Sequence, residues 1–360
     1  MHLAIDAVGA KHGGAATVAC AVVDAALASW RVSRLTIFCS ESAIRRFRFP
    51  DDERISVVEP GSWTESAAGR IAWLWGGFER HAARQGARAY LALNGGGFRR
   101  ADPNERRTVL IQQPLPFWRD RRRYLGLGSE ARIRVIARSM KRCCYQARTV
   151  VVQSASMARA VSDTFKIRAR KIVVLPPSPP ILETSGAHRV VERSAAYRLL
   201  YIGSDAVYKN VDCVTKAAAL LTNSGTPVEI VATLGPDHEL CRAGLVRPLG
   251  YLGRADLAAE LRNADALIMP SLAETIGLPM LEAMAAGVPV VAADRGYAHD
   301  LCGEAALYFD PLNPADLANT LRSLLLAPDV ADRLRTLGLQ RVSALSNHRP
   351  YDRLIDLAVW

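Results

Sequence analysis

Short aliphatic and β-branched runs alternate with helix-period stretches along the whole chain. "HLAIDAV" predicts a strand entering the loop "GAKHGGAAT", followed by the helix "VACAVVDAALASW" and the strand "RLTIFCS". The alternation continues through "AYLALN", "RTVLIQQ", a long basic helix around 130–147, "TVVVQS", a helix from Met157 and "KIVVLPPSPP". It restarts with "YRLLYIG", the helix "VDCVTKAAALL" and the strand "PVEIVAT". "VRPLGYL", a helix from Asp256, the strand "ADALIMPS" and two or three terminal helices ending in "HRPYDRLIDLAVW" complete it. Apolar runs each followed by a helix argue for parallel sheets.

A chain of 360 residues is too long for one ordinary core, and the proline cluster after 175 is the natural place to divide it. The reading is α/β, with two doubly wound Rossmann-like domains facing across a cleft. The first spans 1–180 and the second 197–345, joined by a linker at 181–196. A terminal helix at about 346–360 packs back on the first domain. Ligands of such sheets bind beyond the carboxyl ends of the strands.

Charge changes this picture. Residues 1–180 carry 30 Lys and Arg against 14 Asp and Glu, and the remainder carries 16 against 21. The first half therefore faces an anionic partner, with nucleic acid, an anionic membrane surface and a phosphorylated substrate all open at this point. No apolar run approaches the roughly 20 residues of a membrane span. "MHLAIDAVGAKHGG" reads as strand and loop, not as a signal peptide. Seven scattered cysteines form no CxxC or metal-ligand spacing and read as reduced, buried thiols in a cytosolic protein.

The most informative stretch is "SLAETIGLPMLEAMAAGVPVV", 271–291. A buried strand ends near Ser271, "LAETIG" is a turn, and Pro279 suits a first helical turn, where its missing N–H costs nothing. The helix is expected over Leu281 to Ala286, with Glu282 in its first turn and Gly287 ending it. The amides of Ile276, Gly277 and Leu278 then point out of a helix N-terminus, which suits a phosphate. Glu274 and Glu282 can each accept two hydrogen bonds, as a vicinal diol requires. Taken from spacing alone, a first-turn acid and a solvated loop glutamate explain these two residues equally well.

"PSLAETIGLPMLEAMAAGVPVVAA" resembles the C-terminal signature of the retaining glycosyltransferases of family 4, which have a GT-B fold. The likeness continues through "GEAALYFDPLNPADLANTL", reaches back to "YLGRADLAAELRNADALIMPS" and covers most of the second domain. The resemblance implies a nucleotide-diphosphate sugar as co-substrate, with no other cofactor. Glu274 would contact the donor sugar and Glu282 the nucleotide ribose, while the backbone of Thr275, Ile276, Gly277 and Leu278 receives sugar and phosphates. "YIGSDAVYKNVD" resembles the segment that clamps the diphosphate. Lys209 matches its lysine, but Ser204 stands where an arginine is common. In the first domain, Gly13 and Gly14 match a Gly-rich loop near the ligand, although an ordinary turn pair explains them as well. Gln112 in "VLIQQPLPFW" occupies a position that usually holds a histidine; it can hydrogen-bond a sugar or phosphate but cannot carry a proton charge.

What the resemblance implies is a hexosyltransferase-type enzyme transferring sugar to a hydroxyl of a glycan or lipid-linked acceptor in cell-surface polysaccharide biosynthesis. Lys209 and the helix terminus would stabilise the departing diphosphate. With no Asp-x-Asp in the chain, no metal is expected. In "WRDRRRYLGLGSEARIRVIARSMKRCCYQAR", basic residues mix with Trp118, Tyr124, Ile133, Ile136 and Met140. Such a helix can lie on anionic lipid, making a cytoplasmic enzyme peripheral to the membrane, or it can be a solvated face. Three alternatives remain. A nicotinamide oxidoreductase lacks its G-x-G-x-x-G, and a nucleic-acid-binding protein lacks a recognition motif, so no nucleic acid is expected. A degenerate family member would bind nucleotide sugar without turnover.

Overall fold

The structure is a computed structural model, and it describes residues 1–10, 13–44, 49–93, 95–99, 102, 104–179 and 196–360. The chain forms two compact units, Met1–Pro177 with Arg349–Trp360, and Ser178–His348. Apart from Ala196, the expected linker lies outside the described residues.

The first unit holds β1 (His2–Asp6), β2 (Arg34–Phe38), β3 (Ile55–Val58), β4 (Ala89–Ala92), β5 (Arg106–Leu110), β6 (Thr149–Val152) and β7 (Ile172–Val174). They form one parallel sheet in the order β3-β2-β1-β4-β5-β6-β7. The order reverses between β1 and β4, so the loops leaving these two strands diverge and open a crevice at their carboxyl ends. All four residues of β4 are buried, as expected of a strand covered on both faces. Phe38, Trp73, Phe78, Tyr90 and Phe98 fill one side of the sheet. Beside them the guanidinium of Arg107, only 4% exposed, pairs with Glu79 at 2.6 Å and Glu105 at 2.5 Å.

The helix Pro350–Val359 belongs to this first unit. Leu354, Ile355 and Ala358 bury its apolar face, Asp356 pairs with Arg31 at 2.6 Å, and the Thr108 hydroxyl donates to the Leu357 carbonyl at 3.0 Å. Arg349, left-handed at φ 37°, turns the chain into it.

The second unit holds β8 (Tyr197–Tyr201), β9 (Val228–Ala232), β10 (Arg247–Pro248), β11 (Ala266–Met269), β12 (Val290–Ala293) and β13 (Ala306–Phe309). Its parallel order, β10-β9-β8-β11-β12-β13, repeats the first pattern, with the reversal between β8 and β11. Side chains alternate along each strand. Leu199, Tyr201, Ala266 and Ile268 enter one core, with the helix Val211–Asn223. Leu200, Leu267 and Met269 enter the other, with the helix Leu278–Ala285.

Two expectations gain detail. The basic helix runs Leu127–Gln146; on it Ile133 and Met140 are buried and Ile136 packs against the core, and Trp118 before it is buried, whereas Tyr124, Leu127 and Tyr145 are exposed. Its basic residues also divide into two sets. Arg121, Arg122 and Arg134 all hold the nearly buried Glu130 and, against the effect of its burial, keep that carboxyl below its ordinary value. Arg138 and Lys141 are exposed. None of the cysteines is in a disulfide among the described residues, but Cys20 and Cys241 are only partly buried.

Candidate functional site

The second unit's site is built by the loops that leave β8 and β11, on either side of the strand-order reversal. Gly203 follows β8; a Cβ there would sit 2.7 Å from the Tyr201 hydroxyl, which donates to the Ser204 carbonyl at 2.6 Å. The Thr233 hydroxyl accepts from the Gly203 amide at 2.9 Å. A short turn, Val207–Lys209, then ends at Asn210, left-handed at φ 57°. The Asn210 amide donates to the carbonyls of Pro270 at 3.2 Å and Pro311 at 2.8 Å, and the Leu272 N–H donates to the Tyr208 carbonyl at 2.7 Å. These bonds tie the two loops together. They bring Lys209 Nζ to 2.5 Å from Glu274 Oε1.

Neither side chain is more than 17% exposed. Burial pushes the Lys209 ammonium down, but the Glu274 carboxylate outweighs it and holds the lysine above its ordinary value. Thr275 and Ile276 are buried, with the Ile276 side chain in the core, so this turn presents main chain. Gly277, at φ 79° and ψ 65°, is the N-cap of the helix Leu278–Ala285. Only glycine takes that conformation without cost, and a Cβ would also meet the Met280 methyl at 2.7 Å. Among the described residues, the amides of Ile276 and Gly277 have no partner. A cation, a carboxylate and unspent N–H groups thus stand together at the carboxyl end of the sheet, where the helix dipole also favours negative charge.

Glu282 sits in the second turn, not the first. Gly277 starts the helix at Leu278, three residues before the expected Leu281, which leaves no acid in the opening turn. Burial pushes the Glu282 carboxyl up to about 7, with Arg254 pulling it back. It makes no hydrogen bond among the described residues and remains an open acceptor. Ser204 is exposed, its hydroxyl 3.4 Å from the Ala206 amide that donates to it.

The remaining sequence-derived residues belong to the first unit. Gly13, at φ 56°, opens the helix Gly13–Ala28 beyond the end of β1; Gly13 and Gly14 are exposed. Gln112 follows β5, and its Nε2 donates to the Leu93 carbonyl at 2.8 Å. Asp6 ends β1 fully buried, accepting from Trp73 Nε1 at 2.9 Å and the Val8 amide at 3.1 Å; burial pushes its carboxyl up to about 6. Sequence reasoning missed Asp6, Tyr208 and Asn210. The available signal for Asn210 was an asparagine just before a helix, a residue type that tolerates the left-handed region.

Two doubly wound parallel sheets, each with one strand-order reversal, define an α/β protein, and the fold is GT-B. The family model Glycosyl transferases group 1 matches residues 196–327. A D-inositol 3-phosphate glycosyltransferase from Thermomonospora curvata is 31% identical over 182 residues, 45% of this chain and 42% of that relative. The chain thus spans less than half the length of this curated relative. The crystal structure of WaaG, a glycosyltransferase involved in lipopolysaccharide biosynthesis, superposes with a TM-score of 0.78 at 16% identity, covering 99% of both chains. Anabaena Alr3699/HepE, in complex with UDP and glucose, gives 0.66 at 17% identity over 96% of this chain and 97% of that one.

Proposed function

We propose that this chain is a retaining glycosyltransferase. It moves a hexose from a nucleotide-diphosphate sugar to a hydroxyl of a glycan or lipid-linked acceptor in surface polysaccharide biosynthesis. The observation that carries the reading is the Lys209–Glu274 pair beside the unspent amides of Ile276 and Gly277. In this reading the diphosphate settles on those amides and on Lys209, which neutralises the charge that grows as the glycosidic bond breaks, without recourse to a metal ion. Glu274, released from Lys209, accepts hydroxyls of the sugar, and Glu282 accepts the ribose diol. The acceptor hydroxyl attacks from the leaving-group face, where the departing phosphate oxygen can take its proton. A lipid-linked acceptor goes with a cytoplasmic chain working at the inner face of a membrane. The family of 196–327 and the polysaccharide role of WaaG support the reading.

Calorimetric titration with UDP-, GDP- and ADP-sugars tests it, starting with UDP-glucose because the Anabaena structure holds UDP and glucose. The expected result is saturable binding of one donor, weakened at least tenfold by Lys209→Ala. Absence of binding by every donor, or equal binding by the variant, overturns it. Gln112 favours a second reading, binding without turnover, because its amide is tied to the Leu93 carbonyl and cannot carry a proton charge. Donor hydrolysis and transfer assays separate the two.

A further inference from the structure

Two glycine-rich sequences, "WLWGGF" at 73–78 and "GGGF" at 95–98, interlock at the carboxyl end of the first unit's sheet. The helical segment kinks within Trp73–Gly77, where Trp75 at φ −90° and ψ 19° and Gly76 at φ 117° leave the helical region. This kink is fixed from several sides. Trp73 Nε1 donates to Asp6 at the end of β1, and the Leu74 carbonyl accepts from the Gly97 amide at 2.7 Å and the Ser139 hydroxyl at 2.9 Å. A Cβ on Gly96 would lie 2.3 Å from Leu74, and one on Gly97 would lie 2.9 Å from Phe78, which explains the glycine run. The kink therefore lies at β1 and β4, the strand-order reversal of this unit.

The kink holds Trp75 at the surface, 38% exposed in a chain that buries Trp73 completely beside it. The Arg142 guanidinium lies over the Trp75 ring, 5.5 Å from its centroid, and donates to the Arg99 carbonyl at 2.8 Å. The stem of Arg99 crosses Gly76 so closely that a Cβ on Gly76 would be 2.0 Å from its Cγ. Trp75, Arg99 and Arg142 thus form one continuous patch. Arg138, one turn from Arg142 on the same helix, extends it. Among the described residues, no carboxylate forms an ion pair with the side chains of Arg99, Arg138, Lys141 or Arg142, although Glu79 accepts from the Arg99 main-chain amide, whereas Arg121, Arg122 and Arg134 share the single carboxylate of Glu130.

We propose that Trp75, Arg99 and Arg142 form an acceptor subsite for a saccharide that carries a phosphate or carboxylate. An indole face packs against the C–H face of a pyranose, and guanidinium forks take an oxyanion in bidentate fashion. A rigid aromatic flanked by unneutralised cations at a strand-order reversal supplies both. The proposal rests on the glycosyltransferase reading, because it assigns the acceptor.

The test titrates the full chain with glucose, mannose and galactose 6-phosphates and with galacturonate, following tryptophan fluorescence and heat. Glucose is the uncharged control, and runs at low and high salt are compared. The expected result is saturable binding of at least one anionic sugar, at least tenfold weaker in Trp75→Ala and in Arg142→Ala, only partly retained in Arg142→Lys, and weaker at high salt. Circular dichroism and melting curves show that each variant is folded. The proposal is overturned if no anionic sugar binds, if glucose binds equally well, or if the folded variants bind like the parent. It is also overturned if phosphatidylglycerol vesicles bind through Trp75 and Arg142 while the sugars do not. Nucleotide-sugar binding by the parent chain, measured alongside, separates the failures. Donor binding without anionic-sugar binding overturns the subsite alone; anionic-sugar binding without donor binding leaves the subsite standing as a saccharide site and removes the reading of Lys209 and Glu274.

Discussion

Lys209 reaches Glu274 across the loops that follow β8 and β11, with Nζ 2.5 Å from Oε1. The pair holds two unlike charges side by side, so on the proposed function a diphosphate has to draw the lysine away from the glutamate before either acts. Breaking a poorly exposed pair leaves the survivor unneutralised. Lys209→Ala should therefore lower stability by roughly 1–3 kcal/mol. The double variant Lys209→Ala with Glu274→Gln should recover most of that loss without recovering donor binding. Urea denaturation and calorimetry of the three chains measure both effects.

Glu282 gives a pH prediction. Burial moves its carboxyl from 4.5 to about 7, so the folded chain keeps a proton that the unfolded chain releases. The cost of ionising it in the fold is absent below 4.5, grows as pH rises to 7 and is fully present above that. Glu282→Gln should thus match the parent near pH 4 and exceed its stability at pH 8 by about 1–3 kcal/mol. Nucleotide-sugar affinity of the parent should rise between pH 6 and 8, as the carboxylate forms, and the variant should lose that rise. Melting curves and titrations at the three pH values decide it.

Arg107 pairs with two carboxylates in the interior of the first unit. Arg107→Ala leaves Glu79 and Glu105 facing each other without a cation, and about 3–5 kcal/mol of stability should be lost. Arg107→Ala combined with Glu79→Gln and Glu105→Gln should be milder than the single change, as chemical denaturation can show.

The glycines that bound the helix Leu278–Ala285 should respond differently. At Gly277 a side chain meets both a φ of 79° and the Met280 methyl at 2.7 Å; at Gly287 it meets a φ of 69° and open space. Gly287→Ala should cost about 1–2 kcal/mol from the backbone alone. Gly277→Ala should cost more and also weaken nucleotide-sugar binding, because it moves the free amides.

Sequence patterning located the strands whose residues are buried on both faces, such as β4 and β11, because continuous apolar runs have few other uses. It missed β3, "ISVV", an edge strand with no fully buried residue. It also missed the helical segments between Ala67 and Arg84, because the Gly76-Gly77 pair at the kink between them reads as a break. Lys209 and Glu274 were each singled out by resemblance, but their contact spans 65 residues and depends on the Asn210 bonds, which no local spacing encodes. The start of the helix at Leu278 depends on a dihedral angle of Gly277, and so the turn occupied by Glu282 was misjudged.

The helix Pro350–Val359 sets an order of events during synthesis. The Leu357 carbonyl that receives the Thr108 hydroxyl emerges 249 residues later, and Asp356 emerges 325 residues after Arg31. On the ribosome the first unit must wait, with Arg31 and a strip beside β5 uncovered, while the whole second unit is translated. The nascent chain is therefore exposed to aggregation for longest in the part made first, and assistance by a chaperone matters most there.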